Sequence, residues 1–146
     1  MIVLVDTRQK DGKHNEKHLQ IKSLGYQLKH CALSIGDYML EGQGSVSVDT
    51  KQDLQEVYSN VVNDKSRFMK EVRRAFFNNV KLYVLVEHGN NIKSLKDVYK
   101  WTPKYGHVSG RELMERLNHI HMAYGTEFVF CDKSNTGKWI IKLLTT

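Results

Sequence analysis

The sequence contains few of the residues that cross-link or interrupt a protein chain. Its 146 residues include two cysteines and one proline. Cys31 and Cys131 are far apart, and neither belongs to a Cys-x-x-Cys or Cys/His spacing of the kind that holds a structural metal. We therefore expect both thiols to be free and buried at strand ends, a pattern typical of a reducing compartment.

Long apolar runs are also missing. No segment approaches the length that crosses a bilayer, and Met1 leads directly into a strand-like run rather than into a signal peptide. The chain has no internal repeat, low-complexity tract, linker, glycine-rich phosphate loop or Ser/His/Asp motif. We therefore expect one soluble intracellular domain over residues 1–146, without a membrane partner.

Positive charge is in excess. Twenty-two Lys and Arg against sixteen Asp and Glu give a net charge of +6. This balance favours a polyanionic partner, most commonly nucleic acid, although a solvated lysine surface gives the same count. In residues 65–78 the apolar positions Phe68, Val72, Ala75 and Phe76 share one helical face. The candidate phosphate contacts lie on the remainder of that helix: Arg67, Lys70, Arg73 and Arg74.

Hydrophobic patterning predicts buried strands that alternate with helices. A β-branched-rich run predicts a strand at 2–5, and further strands are predicted at 26–30, 81–86 and 127–131. Apolar residues at helical spacing, with caps and stops, predict helices at 15–25, 52–62, 65–78, 109–125 and 134–144. Residues 9–13 and 90–105 are predicted loops, the second with a short helix from Ser94. This order predicts an α/β domain with a mixed β-sheet flanked by helices.

The first helix is expected to begin at Asn15, as its cap, and to pack Leu19, Ile21 and Leu24 inward. In the last helix, Gly137 is the expected weak point.

A hairpin is expected at residues 34–51, with its turn at 42–44. Side chains alternate along a strand, so Val46, Val48 and Thr50 share one face, while Ser47, Asp49 and Lys51 share the other. A three-residue loop places Asp37 opposite Asp49, whereas a four-residue loop separates them. Because opposed like charges repel, the first register favours a positive group between them, either a metal ion or Lys51.

These residue types match a site for a hard divalent cation. Mg²⁺ prefers oxygen ligands, which Asp37, Asp49 and the backbone carbonyl of Thr50 can supply. Lys51 is placed to orient an attacking water and to offset charge on a phosphate. Asp6, at the end of the first strand, completes the cluster or holds a second metal ion. The alternative is an exposed strand without a functional site, in which Asp and Lys occur by chance.

Three motifs occur in order: VDTR at Val5–Arg8, GDY at Gly36–Tyr38 and VDTK at Val48–Lys51. Together they resemble the nuclease domain of the XPF-type structure-specific endonucleases, in the PD-(D/E)XK superfamily. The resemblance continues through Arg67-Phe68 and the strand at 81–86. Residues 124–131 are similar to small standalone bacterial or phage members, which implies a cytoplasmic location. The resemblance also implies a restriction-endonuclease-like fold.

The resemblance implies site residues one by one. Asp6, Asp37 and Asp49 match the acidic metal-site positions, Lys51 the catalytic lysine, and Arg8 a site or phosphate contact. The chain departs from the family pattern at three places: Gln9 replaces a glutamate, Asp49-Thr50 replaces Glu-Arg, and Gln55 replaces a later acid. Glu56 and Asp53 lie close to that last position. No tandem helix-hairpin-helix module is present.

The resulting expectation is a DNA endonuclease that uses Mg²⁺ or Mn²⁺, acting on branched or structured DNA in repair, recombination or phage DNA processing. The alternative is a non-catalytic DNA-binding scaffold derived from a nuclease, which the three departures favour. Whether the protein is a monomer or a homodimer stays open.

Further side chains carry weaker signals. Non-ligand roles are expected for His14, His18 and His30, which lack a ligand spacing on a common site. Glu87, after the strand at 81–86, either lies near the site or caps the sheet. Three aromatic residues occur beside Lys100 and Lys104 and suit either stacking on unpaired bases or local packing: Tyr99, Trp101 and Tyr105.

Overall fold

The computed structural model describes residues 1–9, 12–89 and 91–146. Six strands form one mixed sheet in the order β2-β1-β3-β4-β5-β6. Neighbouring strands are parallel except for the β1–β3 and β3–β4 pairs. The strands are β1 Ile2–Asp6, β2 Gln27–Cys31, β3 Tyr38–Leu40, β4 Gln43–Lys51, β5 Lys81–Val86 and β6 Glu127–Phe130. The predicted α/β class with a mixed sheet is confirmed.

Helices cover both faces of the sheet. The α-helices are α1 Asn15–Ser23, α2 Leu54–Tyr58, α3 Lys65–Phe77, α4 Gly110–Tyr124 and α5 Thr136–Leu144. A π-helical turn, Ser59–Asn63, extends α2, and 3₁₀-helices span Leu95–Lys100 and Lys133–Asn135. Helices α1 and α5 contribute to one core, whereas α2, α3 and α4 contribute to the other.

Two predicted loops fall partly outside the described residues. Lys10 and Asp11 belong to the predicted loop at 9–13, and Asn90 begins the predicted segment at 90–105. The short helix expected from Ser94 is present as the 3₁₀-helix at 95–100, and Ser94 and Asp97 close a capping box at its start.

Strand β5 explains why its sequence is apolar without alternation. Leu82, Val84 and Val86 pack into the core with α3 and α4, while Tyr83 and Leu85 pack into the core with α5. A strand that is covered on both faces needs apolar residues at every position. Its parallel pairing with β4 aligns Lys51 with Val86, so the ends of the two strands lie side by side.

The hairpin between β3 and β4 differs from the expected one. Leu40 pairs with Gln43 across a turn at Glu41 and Gly42, so the predicted loop at 42–44 is wrong. Gly42 has a φ of +80°, which suits glycine in a tight turn. A register shift then pairs Tyr38 with Val48. This is the register that a three-residue loop predicts, and it brings Asp37 beside Asp49.

Helix α1 buries different residues from those expected. Leu19 and Leu24 are 65% and 46% exposed, whereas Ile21 and Lys17 are buried. His14, not Asn15, is the residue before the first turn. The predicted burial of Ile21 is confirmed, and that of Leu19 and Leu24 is wrong. The burial of Lys17 depends on a buried carboxylate partner, described below, which a hydrophobic pattern does not reveal.

Gly137 in α5 allows a close approach of two helices. A Cβ atom at this position would collide with the backbone carbonyl of Lys17, and the Gly137 amide donates a hydrogen bond to Gln20 Oε1 at 2.8 Å. The expected weak point is therefore a packing requirement between α1 and α5.

Helix α3 presents a slightly different apolar face from the predicted one. Phe68, Val72 and Ala75 are buried as expected, but Phe76 is 46% exposed and packs on the Tyr124 ring, with ring centroids 5.6 Å apart. Met69 occupies the buried position instead.

Both cysteines are free, with Cys131 buried and Cys31 only half-buried. Within the described ranges, no helix has the length and apolar character required to cross a membrane.

Candidate active site

The three sequence motifs meet at one edge of the sheet. Strands β1, β4 and β5 end there and β3 begins there, because β3 runs antiparallel to its neighbours. A cavity of about 480 Å³ lies between this edge and α3. Its charged lining comprises Asp6, Arg8, Asp37, Asp49, Lys51, Glu56, Asp64, Arg67, Lys70, Glu71 and Arg74.

Asp37 is held by the strand opposite it. The Thr50 amide and hydroxyl both donate hydrogen bonds to Asp37 Oδ2, at 2.9 and 3.1 Å. The pKa of Asp37 is nevertheless raised well above its ordinary value, first because its carboxyl is desolvated and second because Asp49 is a neighbouring negative charge. The site therefore brings two carboxylates closer than their charges favour.

Asp49 and Lys51 form an ion pair on the same face of β4. Lys51 Nζ lies 3.0 Å from Asp49 Oδ2, and their side chains are only 15% and 8% exposed. Burial has the largest single effect and lowers the pKa of Lys51, but the charge and hydrogen bond of Asp49, together with the charges of Glu56 and Asp37, outweigh it and the pKa is raised. Lys51 is therefore a fixed cation at the floor of the cavity.

Asp6 and Arg8 brace the loop that leads into the GDY motif. Asp6 Oδ2 accepts a hydrogen bond from Arg8 Nε at 2.8 Å, and Asp6 Oδ1 accepts one from the Leu33 amide at 3.1 Å. Arg8 also donates to the Leu33 carbonyl at 2.8 Å. The Arg8 side chain remains 73% exposed. Asp6 is thus buried and positioned, while the guanidinium of Arg8 is accessible at the cavity.

Glu71 is a site residue that the sequence interpretation missed. Its Oε1 accepts a hydrogen bond from the Gly36 amide at 3.0 Å, which ties α3 to the GDY motif. Desolvation and the Asp49 charge raise the pKa of Glu71. The only signal in the sequence is that Glu71 is the single acidic residue within the otherwise basic helix α3.

Gly36 makes this contact possible. It has a φ of +69°, and a Cβ atom there would collide with the buried Ser47 hydroxyl. Ser47 Oγ itself donates to the Ile35 carbonyl at 2.6 Å. The glycine of the GDY motif therefore lets the turn carrying Asp37 lie directly against β4.

The cavity contains an acidic cluster, formed by Asp37, Asp49 and Glu71. This cluster has the chemistry that a divalent cation requires. Asp49 Oδ2 is buried and has an ion-pair partner but no aligned hydrogen bond. The pKa values of Asp37 and Glu71 are raised first by burial and second by the charge of Asp49, and a bound cation would offset both effects. Among the described residues, no three His, Cys, Asp or Glu side chains are already gathered at metal-ligand spacing. The residues fit a cation that is coordinated partly by water and by the substrate.

The Asp37 shift predicts how stability depends on pH. A folded-state pKa above the unfolded value means that the folded protein binds this proton more tightly. Its stabilising contribution is present at low pH and is lost as the pH rises from the ordinary value of 3.8 through the raised one. In chelating buffer, Asp37→Asn should therefore raise the unfolding midpoint at neutral pH.

Thermal unfolding of both proteins over a pH series tests this expectation. The difference in midpoint, variant minus wild type, should grow with pH, and added Mg²⁺ should reduce it. A midpoint difference that stays constant with pH would show that folding does not raise the pKa of Asp37. Asp64→Asn, on the exposed rim of the same cavity, is the matched control.

The basic wall of the cavity contains three of the four predicted phosphate contacts on α3. Arg67, Lys70 and Arg74 line the cavity. Arg73 lies elsewhere, because its Nε donates to the Tyr124 hydroxyl at 3.4 Å. Arg74 donates to the Ser34 carbonyl at 2.7 Å. Arg73 therefore lies apart from the other three basic residues of α3.

Of the two departures, Gln9 lines a recess that also contains Asp37 and Asp49, whereas Gln55 is held away from them. Gln9 Oε1 accepts a hydrogen bond from the Tyr38 hydroxyl at 3.2 Å. Gln55 is buried, where its Oε1 accepts the Lys104 amide at 2.7 Å. Glu56, one residue further along, lines the cavity instead and accepts the Gln52 amide at 3.2 Å. Asp53 caps α2 through the Glu56 amide at 2.8 Å.

Behind the site lies a buried ion pair that the hydrophobic pattern did not predict. Lys17 Nζ, from α1, lies 2.7 Å from Glu87 Oε1, and both side chains are less than one tenth exposed. The Glu87 amide also donates to the Lys51 carbonyl at 2.8 Å. Glu87 thus joins α1 to the end of β4 rather than lying free in the cavity.

Three histidines that lack a common spacing in the sequence are gathered in space. The His18 ring lies 6.0 Å from that of His14 and 6.2 Å from that of His30, measured between centroids. His18 Nε2 is 2.9 Å from the Tyr38 hydroxyl. Burial, with contributions from the neighbouring histidines, lowers the pKa of His18 to about 4. His18 is therefore neutral at physiological pH, and the cluster packs beside the GDY strand.

Comparison with known proteins identifies the family and the fold. A family profile described as "ERCC4 domain" matches residues 5–143. Two solved structures of similar fold are XPF from Aeropyrum pernix, with 19% identity and a TM-score of 0.73, and XPF from Aeropyrum pernix in complex with DNA, with 20% and 0.72. Each match covers 99% of this chain and 63% of the longer chain. No curated protein matches the sequence. The family and fold that the three motifs predict are confirmed.

Proposed function

Because the chain belongs to the ERCC4 domain family, we propose that it is a divalent-metal-dependent endonuclease that acts on structured DNA. The observation that carries the proposal is the meeting of Asp37, Asp49 and Lys51 at one cavity whose far wall is basic. Carboxylates for a cation, a fixed ammonium and guanidinium groups for phosphates are the components that phosphodiester hydrolysis requires.

Each side chain has a distinct role in this proposal. Asp37 and Asp49 hold Mg²⁺ or Mn²⁺, with Asp6 and the Thr50 carbonyl as further oxygen donors. The bound cation would polarise the scissile phosphate and lower the pKa of a coordinated water. Lys51 orients the attacking water and stabilises the negative charge that develops on the phosphoryl oxygens. Arg8 reaches the DNA backbone from the exposed side of the cavity.

Glu71 and Thr50 act as positioning residues. Glu71 keeps the Gly36 turn against α3, and Thr50 fixes Asp37 Oδ2 through two hydrogen bonds. Both contacts hold the carboxyl of Asp37 before substrate arrives, so less reorganisation is needed during the reaction.

The test is a cleavage assay on a panel of labelled DNA: blunt duplex, single-stranded, flapped and four-way. With Mg²⁺ or Mn²⁺ the protein should cut at least one of these, preferring a branched form, and chelation should abolish cutting. Absence of metal-dependent cutting on every member would contradict the proposal.

The basic wall predicts a graded effect on DNA binding. Arg67→Ala and Lys70→Ala each remove one candidate phosphate contact at the cavity. Each should weaken binding in chelating buffer and lower the slope of log affinity against log salt concentration by about 0.9 per lost contact for duplex DNA.

Arg73→Ala is the matched control, since it removes the same charge from the same helix but lies beside Tyr124. Fluorescence anisotropy over a salt series measures all three slopes. If Arg73→Ala lowered the salt slope as much as Arg67→Ala, the effect would come from overall charge and not from contacts at the cavity.

A second candidate function is a non-catalytic DNA-binding scaffold. Two observations favour it. No three His, Cys, Asp or Glu side chains among the described residues lie at metal-ligand spacing, and ion pairs already neutralise Asp6 and Asp49. The scaffold predicts DNA binding that is indifferent to Mg²⁺ and to Asp49→Asn. The endonuclease predicts that the cation alters binding and that cleavage needs Asp49.

A further inference from the structure

We propose that a groove next to the catalytic cavity binds an unpaired nucleotide segment of the same DNA, with a base against Trp101. This inference rests on the proposed function. The groove has a volume of about 850 Å³ and lies between the start of α2 and residues 88–89 and 91–104. Trp101, His88, Lys100, Lys104 and Lys133 are among its lining residues.

The groove continues from the catalytic cavity along one strand. Gln52 lines both the groove and the recess that contains Asp37, Asp49 and Lys51. It follows Lys51 directly in the chain, so the two Cα atoms are about 3.8 Å apart. A strand whose phosphate reached Lys51 would therefore pass into the groove at the next positions.

The free charges in the groove favour a polyanion. Its carboxylates have partners within the protein: Asp53 accepts the Glu56 amide, Asp97 accepts the Lys93 amide and Glu87 pairs with Lys17. The three lysines, in contrast, form no ion pair with any residue in 1–9, 12–89 or 91–146: Lys100, Lys104 and Lys133. Hydrogen bonds leave the formal charges of Asp53 and Asp97 in place, whereas Lys17 neutralises Glu87. Three lysines therefore face two uncompensated carboxylates, and the lining keeps one net positive charge.

Trp101 and His88 provide an aromatic corner on this groove. Trp101 is half-buried, with its ring centroid 6.2 Å from Tyr58 and 6.4 Å from His88, so its orientation is fixed by packing. His88 Nδ1 accepts the Leu54 amide at 3.1 Å, which leaves the proton of the neutral ring on Nε2. A base can stack on an aromatic ring without regard to its sequence.

Hydrogen bonds of the Gln55 side chain fix the wall of the groove. Its Oε1 accepts the Lys104 amide and its Nε2 donates to the Tyr105 carbonyl at 3.4 Å. Asp97 caps the 3₁₀-helix that precedes Trp101. The position where the family pattern has an acid is thus used here to fix the wall of the groove. Tyr99 and Tyr105 are 53% and 59% exposed and lie outside the groove lining.

Fluorescence of Trp101 tests the proposal. The chain has two tryptophans, so Trp139→Phe leaves Trp101 as the only indole reporter. In chelating buffer, a short oligothymidylate should quench this emission with saturation, whereas a blunt duplex should not. Asp49→Asn in the same background should keep the quenching, because the groove needs no cation.

Two variants distinguish the loss of contacts to the oligonucleotide from a general folding defect. Lys100→Ala with Lys104→Ala, both on exposed side chains, should weaken oligothymidylate binding at least about fivefold, as should Trp101→Leu. Duplex affinity should change by less than about twofold. Lys93→Ala with Lys96→Ala removes the same charge from the same segment outside the groove lining and should leave binding unchanged.

The outcomes distinguish this proposal from the endonuclease. Absent quenching, equal quenching by duplex, or equal losses in the groove and control double variants would each overturn the groove, even if the protein cuts DNA. Quenching by single strands without cleavage of any DNA would support the groove and count against the endonuclease.

Discussion

Asp49→Asn should abolish cleavage, by at least about a hundredfold, the cost typical of losing one preorganised electrostatic group. Asp49 is the proposed cation ligand, pairs with Lys51 and contributes to the raised pKa values of Asp37 and Glu71, so one substitution alters every element of the proposed mechanism. The same change removes a negative charge from a site meant for phosphate. DNA binding in chelating buffer should therefore be retained or become tighter.

Initial cleavage rates and anisotropy, measured on the same DNA substrate, separate these effects. Asp64→Asn is the control for a carboxylate lost from the same cavity, and it should keep near wild-type rates because its side chain is about half exposed. Equal rates for Asp49→Asn and wild type would rule out the assigned role. Weaker DNA binding by Asp49→Asn would instead indicate a folding defect.

Lys17→Met should be the most destabilising single change considered for this protein. It leaves the Glu87 carboxylate buried without its partner, and breaking a buried ion pair in this way typically costs about 3–5 kcal/mol. A domain of this size loses roughly 2–4 °C of unfolding midpoint for each kcal/mol, so the midpoint should fall by about 6 °C or more.

A second substitution distinguishes a lost charge partner from lost packing. Glu87→Leu in the Lys17→Met background removes the uncompensated carboxylate and should recover most of the stability. The control is Lys29→Met, which breaks the exposed pair with Glu41, whose atoms lie 3.6 Å apart, and should cost at most about 1 kcal/mol. Equal losses for Lys17→Met and Lys29→Met in denaturant unfolding would contradict the account.

The parts of the fold that depend on local pattern were predictable from sequence. Alternation along β4 correctly places Asp49 and Lys51 on one face and Val48 on the other, because this geometry depends only on the strand itself. The hairpin turn was not predictable, since Gly42 and Gly44 both permit a turn and the register shift next to it depends on packing. Phe76 likewise follows the helical period but is exposed, because the period alone does not say where the core ends.

The site was predictable where its residues belong to strand ends and not where they come from helices. Asp6, Asp37 and Asp49 lie at the ends of neighbouring strands, and the topology of a mixed sheet brings those ends to one edge. Glu71 joins them only because α3 packs over the Gly36 turn. Lys17 resembled one more surface lysine, because its partner lies seventy residues later in the chain, at Glu87.

The most direct test of the central claim is a calorimetric titration of Mn²⁺ into the metal-free protein at neutral pH. The wild-type protein should show a saturable site that Asp49→Asn abolishes and Asp64→Asn preserves. The same binding in the wild type and Asp49→Asn, or no binding in either, would contradict the claim that these carboxylates form a catalytic metal site.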